Sequence, residues 1–248
     1  MMRAMHQTID IRTDDGTCPA HVFTPDGKGP WPGVLLYMDG IGMRPALLPI
    51  AEKIAQAGYY VLMPDVFYRA GAYTAPDPAK LFTDPDTRTA WFQKVHAAAG
   101  TDKIMRDTVA FIAHLEAYAK PGGIATTGYC MGGRLSLNAA GHFPDKIVAS
   151  AAYHPGNLAN DAPDSPHLLA GKIKAEVYVA AAMEDQSFPQ EQIDRLEKAL
   201  GDAKVAHTIE PYQCRHGWVP SDTPVHDAAG AEKHFQTLFA LLRRRLPA

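Results

Sequence analysis

Residues 123–140 read GIATTGYCMGGRLSLNAA, and the fold turns on this stretch. Gly123 to Tyr129 is a short apolar run of strand type. Residues 131–141 carry the pattern of an amphipathic helix, and between the two Cys130 stands on a glycine-framed turn. Strand, tight turn and helix are the setting of a nucleophile elbow, G-x-S-x-G, here with cysteine in the serine position. A residue at the apex of such a turn takes strained backbone angles, so its neighbours must be small. Gly128 and Gly132, two before and two after Cys130, have no Cβ to clash. The helix that follows aims its free N–H groups and positive dipole end at the sulfur, which favours a thiolate and a developing oxyanion. Two plainer readings compete. A lone cysteine is often a small buried hydrophobe, and a glycine-rich turn can cradle phosphate, although this one lacks the P-loop lysine and the G-x-G-x-x-G spacing.

Around this turn the chain alternates strand and helix patterns. Residues 6–12 and 17–23 alternate polar and apolar about Asp14-Asp15-Gly16 and predict an antiparallel hairpin. Residues 33–37 and 59–63 are buried-strand runs, separated by a helix over 45–57 that Gly58 closes. Residues 102–119 predict an amphipathic helix. Beyond the elbow, strands are predicted at 146–153, 176–181 and 204–211. Helices are predicted at 190–200, with Gly201 as the cap, and at 226–245. Residues 66–100 stand apart, with three prolines and Trp91-Phe92. They read either as an excursion that walls a pocket or as connecting helix with its aromatics in the core. The alternation predicts a mostly parallel sheet with helices on both faces after one N-terminal hairpin. No repeat or linker interrupts it, so residues 1–248 are expected to form a single domain.

Composition bounds the function. Of 248 residues, 46% are hydrophobic and 21% charged, and the formal net charge is −3. That charge gives no general attraction to nucleic acid or an anionic membrane. Arg243-Arg244-Arg245 suits the C-terminal end of the last helix. No signal-peptide pattern opens the chain, and no apolar run reaches the roughly 18 residues that cross a bilayer. Cys18, Cys130 and Cys214 are few and widely spaced, which predicts reduced thiols in a cytoplasmic protein. Cys214-x-His216 lacks a second ligand pair nearby, so no metal site is expected.

In a parallel sheet, ligands bind at the edge where the strands end. Three strand-end loops carry chemistry there, with Cys130 first, Asp185 second and His216 third. Nucleophile, acid, histidine is the chain order of the α/β-hydrolases. His216 can take or hold the thiol proton, and Asp185 can fix the imidazole tautomer and support its charge. His154 also follows a strand, and Glu184 adjoins Asp185. His216 and Asp185 are preferred because they hold the loop positions this fold uses. The oxyanion needs preorganised donors, and the N–H groups of Met131 and Gly40 are the expected pair. Ser136 and Ser150 lack an elbow setting.

The GYCMGG turn, the MEDQSFP loop and the RHGW loop resemble those of the dienelactone hydrolase family. The DGIGM loop and the PDVFYR segment resemble it too, and the likeness runs over roughly residues 8–243. The resemblance implies a cofactor-free α/β-hydrolase, monomeric or homodimeric, that opens enol-lactones or cleaves related small esters, with Cys130, His216 and Asp185 as its triad. It also implies a carboxylate that contacts the resting thiol, and Asp39 occupies that position with a shorter side chain than the more familiar glutamate. Family members that act on dienelactone hold its carboxylate with arginines. The residues after His216 contain none, so Arg88 or Arg69 is left to supply a charge, and Trp218 is expected to form an apolar wall. The implied substrate is therefore less acidic than a dienelactone. A binding or redox-sensing module that uses a reactive Cys130 on the same fold is the alternative.

Overall fold

The computed structural model describes residues 3–247, with the backbone alone at residue 96. Eight strands form one sheet: β1 (Ala4–Thr13), β2 (Gly16–Pro25), β3 (Gly33–Tyr37), β4 (Tyr60–Pro64), β5 (Ile124–Tyr129), β6 (Ile147–Tyr153), β7 (Glu176–Ala182) and β8 (His207–Tyr212). Their order is β1-β2-β4-β3-β5-β6-β7-β8. The hairpin β1–β2 pairs antiparallel, and β2 joins β4 antiparallel. Every pairing from β4 through β3 to β8 is parallel. This is the α/β-hydrolase architecture. Strands β3, β4 and β5 are buried along their whole length, as continuous apolar runs in a doubly covered parallel sheet must be.

Helices cover both faces. On one lie α4 (Thr101–Tyr118) and α5 (Met131–His142), which pack on each other and on β3. On the other lie α1 (Leu48–Gln56) and α7 (Ala228–Arg245). Lys53 of α1 bonds Glu232 of α7 at 2.8 Å and covers the Phe235 ring. Helix α6 (Gln190–Asp202) flanks β8. Two buried tyrosines illustrate how core polar groups are paired: the Tyr37 hydroxyl meets Thr108 at 2.7 Å and that of Tyr129 meets His234 at 2.9 Å.

Glycine sets the approach that builds the site. A Cβ on Gly132 would stand 2.3 Å from the Tyr37 carbonyl oxygen, and one on Gly128 would stand 2.2 Å from the Gly132 oxygen. Only glycine at both places lets the start of α5 lie against the end of β3. The loop after β3 is thereby brought beside Cys130.

Several boundaries differ from expectation. The 45–57 helix divides into a 3-10 turn (Pro45–Leu47) and α1, with Pro49 in the first turn of α1. Gly201 does not cap α6, which continues to Asp202. Lys204 takes the positive φ of 58° instead, and the N–H groups of Lys204 and Val205 return to Gly201 and Leu200. That closing turn occupies 203–204 and is followed by two irregular residues, so β8 begins at His207. The 66–100 excursion contains a 3-10 turn (Tyr68–Ala70), α2 (Pro78–Thr83) and α3 (Pro85–His96).

Candidate active site

Cys130 lies between β5 and α5 with φ 54° and ψ −115°. A non-glycine residue there costs on the order of 1–3 kcal/mol, and such strain gathers at functional sites. The Cys130 N–H is held by the Tyr153 carbonyl at 3.1 Å, and its carbonyl accepts from Gly133 at 3.1 Å. The turn is thus anchored from both sides, and the thiol is half-buried.

Asp185, after β7, and His216, after β8, meet at 2.6 Å through Oδ2 and Nδ1. Ser187 steadies the carboxylate from the other side. Its N–H donates to Oδ1 at 2.9 Å and its hydroxyl at 2.6 Å. Burial alone would raise the Asp185 carboxyl, but its bonds to His216 and Ser187 prevail and hold it below the usual carboxylate range. Burial alone would lower His216. The Cys130 charge and the bonds to Asp185 and Cys130 outweigh it, and His216 is raised to about 10. The expected trio is therefore brought together. Glu184 is exposed, whereas Asp185 is buried. Ser136 and Ser150 bond each other at 2.9 Å deep in the core.

Gly40 and Met131 are also neighbours, since a Cβ on Gly40 would stand 3.8 Å from that of Met131. Met131 opens α5, so its N–H has no intrahelical acceptor. The Gly40 carbonyl is turned away by the Trp91 indole N–H, which donates to it at 2.8 Å. The Tyr73 hydroxyl accepts the Met43 N–H at 3.0 Å and donates to Asp65 at 2.7 Å. The aromatics of the excursion therefore fulfil both readings. Trp91 and Tyr73 brace the 39–43 loop from the core, while Leu81, Phe82, Arg88 and Phe92 wall a cavity of about 190 Å³ over Cys130 and His216. A wider, more polar groove of about 620 Å³, with Arg134, Asn157 and Asn160, reaches the same two residues from the other side.

Three expectations are corrected. Asp39 lines the cavity, but it makes no hydrogen bond to the thiol among the described residues. Its two oxygens accept from Arg44 at 2.7 and 2.9 Å, and the Ile41 N–H adds a third bond at 3.0 Å. Burial still leaves its carboxyl above the ordinary value, against the pull of Arg44. Trp218 is not a wall. It is fully buried behind His154, at 4.9 Å between ring centroids, and stacks on Tyr212 at 5.0 Å. Arg69 is drawn away by Asp107, at 2.7 Å on both carboxylate oxygens, and by Asp15. Arg88 remains at the exposed cavity rim with no side-chain partner among the described residues. His154 does line the cavity, but Asp185 bonds His216 instead.

Arg44 was not foreseen. All five of its N–H donors are used: two on Asp39, two on Asp222 at 2.7 and 3.1 Å, and one on the Gly42 carbonyl at 3.2 Å. It ties the loop after β3 to the loop after His216. The one signal in sequence is a lone cation between Gly42 and Pro45, and its partner Asp222 lies 178 positions away. Among the described residues, no group of three or more His, Cys, Asp or Glu is arranged to hold a metal ion, and no helix is long and apolar enough to cross a membrane.

Residues 18–246 match the model of the dienelactone hydrolase family. The chain belongs to that family. A protein of Methylorubrum extorquens, provisionally named a carboxymethylenebutenolidase, is 28% identical over 237 residues, covering 93% of this chain and 78% of that one. A Klebsiella pneumoniae structure provisionally named a dienelactone hydrolase superposes with a TM-score of 0.85 at 19% identity, covering 97% and 99% of the two chains. A dienelactone hydrolase from Anabaena variabilis gives 0.68 at 16% identity, covering 98% and 99%. These two likenesses are of fold, and membership of the family makes the chain a hydrolase.

Proposed function

We propose that the chain is a thiol hydrolase in a single cofactor-free domain, acting on a small enol-lactone or a related carboxylic ester. One observation carries this reading. His216 is bonded to a buried Asp185, is charge-coupled to Cys130, and faces a cysteine on a strained elbow. A redox sensor has no need of the Asp185 bond, whereas a hydrolase needs it to hold the imidazole tautomer.

In the proposed reaction the Cys130 thiolate attacks the acyl carbon and a C–S bond forms. The oxyanion is received by the N–H groups of Met131 and Gly40. The C–O bond then breaks, and the His216 imidazolium gives its proton to the leaving oxygen. Water next attacks the thioester, the now neutral His216 takes a proton from it, and the thiolate is expelled with the acid as product. The cavity beside Cys130 is mostly apolar, and among the described residues Arg88 is its one exposed cation. This supports a substrate that is neutral or carries one peripheral negative charge.

The test is ring opening of a dienelactone, followed by ultraviolet absorbance, beside p-nitrophenyl acetate, for wild type and Cys130→Ala. Both activities are expected to vanish in the variant. Hydrolysis that survives Cys130→Ala would remove the nucleophile from the proposal. Turnover of the simple ester alone would keep the mechanism and remove the lactone.

A further inference from the structure

His154 is 1% exposed, yet neither ring nitrogen has a hydrogen-bond partner among the described residues. Leaving a buried polar atom unpaired costs about 1–3 kcal/mol, so native structures rarely tolerate it without cause. The residue follows β6 with a positive φ of 38°, a second cost at one position. Its ring lies 5.2 Å from that of His216, edge to face, and the residue is one of those that line the apolar cavity with Cys130. Burial, and then the positive charge of His216, drive its own protonation far below the ordinary range. His154 is therefore a neutral imidazole, with one nitrogen that donates and one that accepts.

We propose that His154 is a specificity-determining residue that hydrogen-bonds an uncharged oxygen on the part of the substrate entering this cavity. The substrate class narrows to a lactone or ester whose apolar body carries a hydroxyl, carbonyl or ether oxygen besides those of the scissile group. This rests on the cavity being the substrate site of the proposed hydrolase. The physical basis is asymmetry. A polar group buried against apolar walls gains little from a ligand that cannot bond to it, and it rejects the analogue that lacks the oxygen. Arg88, Asp39 and Thr223 also border the cavity, but Arg88 is exposed, Asp39 is already occupied by Arg44, and the buried Thr223 hydroxyl donates to the Gly217 and Pro220 carbonyls. His154 is left as the buried group with bonding capacity to spare.

Phenol and toluene have nearly the same shape and differ by this one oxygen. Their binding to the full chain can be measured by NMR titration, which needs no turnover. An apolar cavity prefers toluene, because phenol must shed water from its hydroxyl. Wild type is expected to bind phenol at least as tightly as toluene. In His154→Phe the phenol-to-toluene preference is expected to fall at least tenfold, with the melting temperature unchanged or higher because two unpaired polar atoms are gone. A merely structural histidine would lower the melting temperature and leave the ratio unmoved. Toluene bound more tightly than phenol by wild type overturns the inference with no variant required. So does a ratio that survives His154→Phe. Cys130→Ala is expected to keep the phenol preference, so loss of the nucleophile assignment and loss of the His154 role read out separately.

Discussion

Asp185 and Asp39 are both buried, both follow a parallel strand, and each bonds a basic side chain. Asp185 holds His216 through one short bond at 2.6 Å. Asp39 holds Arg44 through two, at 2.7 and 2.9 Å. The partners separate the roles. An imidazole exchanges its proton near neutral pH, whereas a guanidinium keeps its own at any working pH. In the proposed mechanism the first pair passes a proton to and from the sulfur. The second can only fix shape, and by reaching Asp222 it fixes the loop after β3 against the loop after His216. On the proposed mechanism, one residue type thus serves chemistry at one strand end and geometry at the other, according to the basic group it meets.

The sharpest way to break this contrast is Asp185→Asn. The fold should persist, while kcat/KM for p-nitrophenyl acetate falls by roughly 10³–10⁴, as when a triad acid loses its charge. A loss below tenfold would mean that Asp185, like Asp39, is mainly a staple.

Arg44→Met should produce the converse result. It leaves Asp39 and Asp222 without their cation, and breaking a buried pair from one side costs about 3–5 kcal/mol of stability. Denaturant unfolding measures this, and the double variant Arg44→Met/Asp39→Leu should recover part of the loss. Equal stability with activity lost a thousandfold would give Arg44 a direct part in the reaction.

Titration distinguishes the pairs more gently. NMR of the His216 ring should show it protonated until about pH 10 in wild type, and to a distinctly lower pH in Asp185→Asn. The sign for stability follows. His216 is raised in the folded state, so its contribution is complete below the unfolded value near 6.5 and disappears as pH rises through about 10. Stability measured from pH 6.5 to 10 should decline more in wild type than in His216→Phe. A parallel decline would contradict the imidazolium assignment.

The smallest expected effect is at the rim. Arg88→Ala should change kcat/KM by less than about tenfold, as an exposed charge does, and only for substrates bearing a negative group. An equal effect on a neutral ester would make Arg88 part of the wall and not a charge contact.

What sequence revealed follows the same division. Cys130, Asp185 and His216 were legible because each sits where a short apolar run ends, and the local pattern locates strand ends. The β3–β8 parallel sheet was legible for that reason too. Arg44 was not, because neither of its carboxylate bonds has a local signature and one partner is distant in sequence. Trp218 was misread because adjacency to His216 says nothing about which side of the loop a ring faces, and Tyr212 and His154 draw it inward. Arg69 was misread because Asp107 lies on α4, a helix brought near only by folding. Residues 66–100 gave two readings because one segment presents both faces. Trp91 braces the loop from inside, and Leu81 and Phe82 shape the cavity outside.

The most direct measurement is the state of Cys130 during turnover. The protein would be mixed with p-nitrophenyl acetate, quenched in acid within the first turnover, and digested for peptide mass spectrometry. The account predicts an acetyl group on the peptide that holds Cys130, formed at the rate of the nitrophenolate burst and absent in Cys130→Ala. Nitrophenolate released at the wild-type rate with Cys130 unmodified would contradict it.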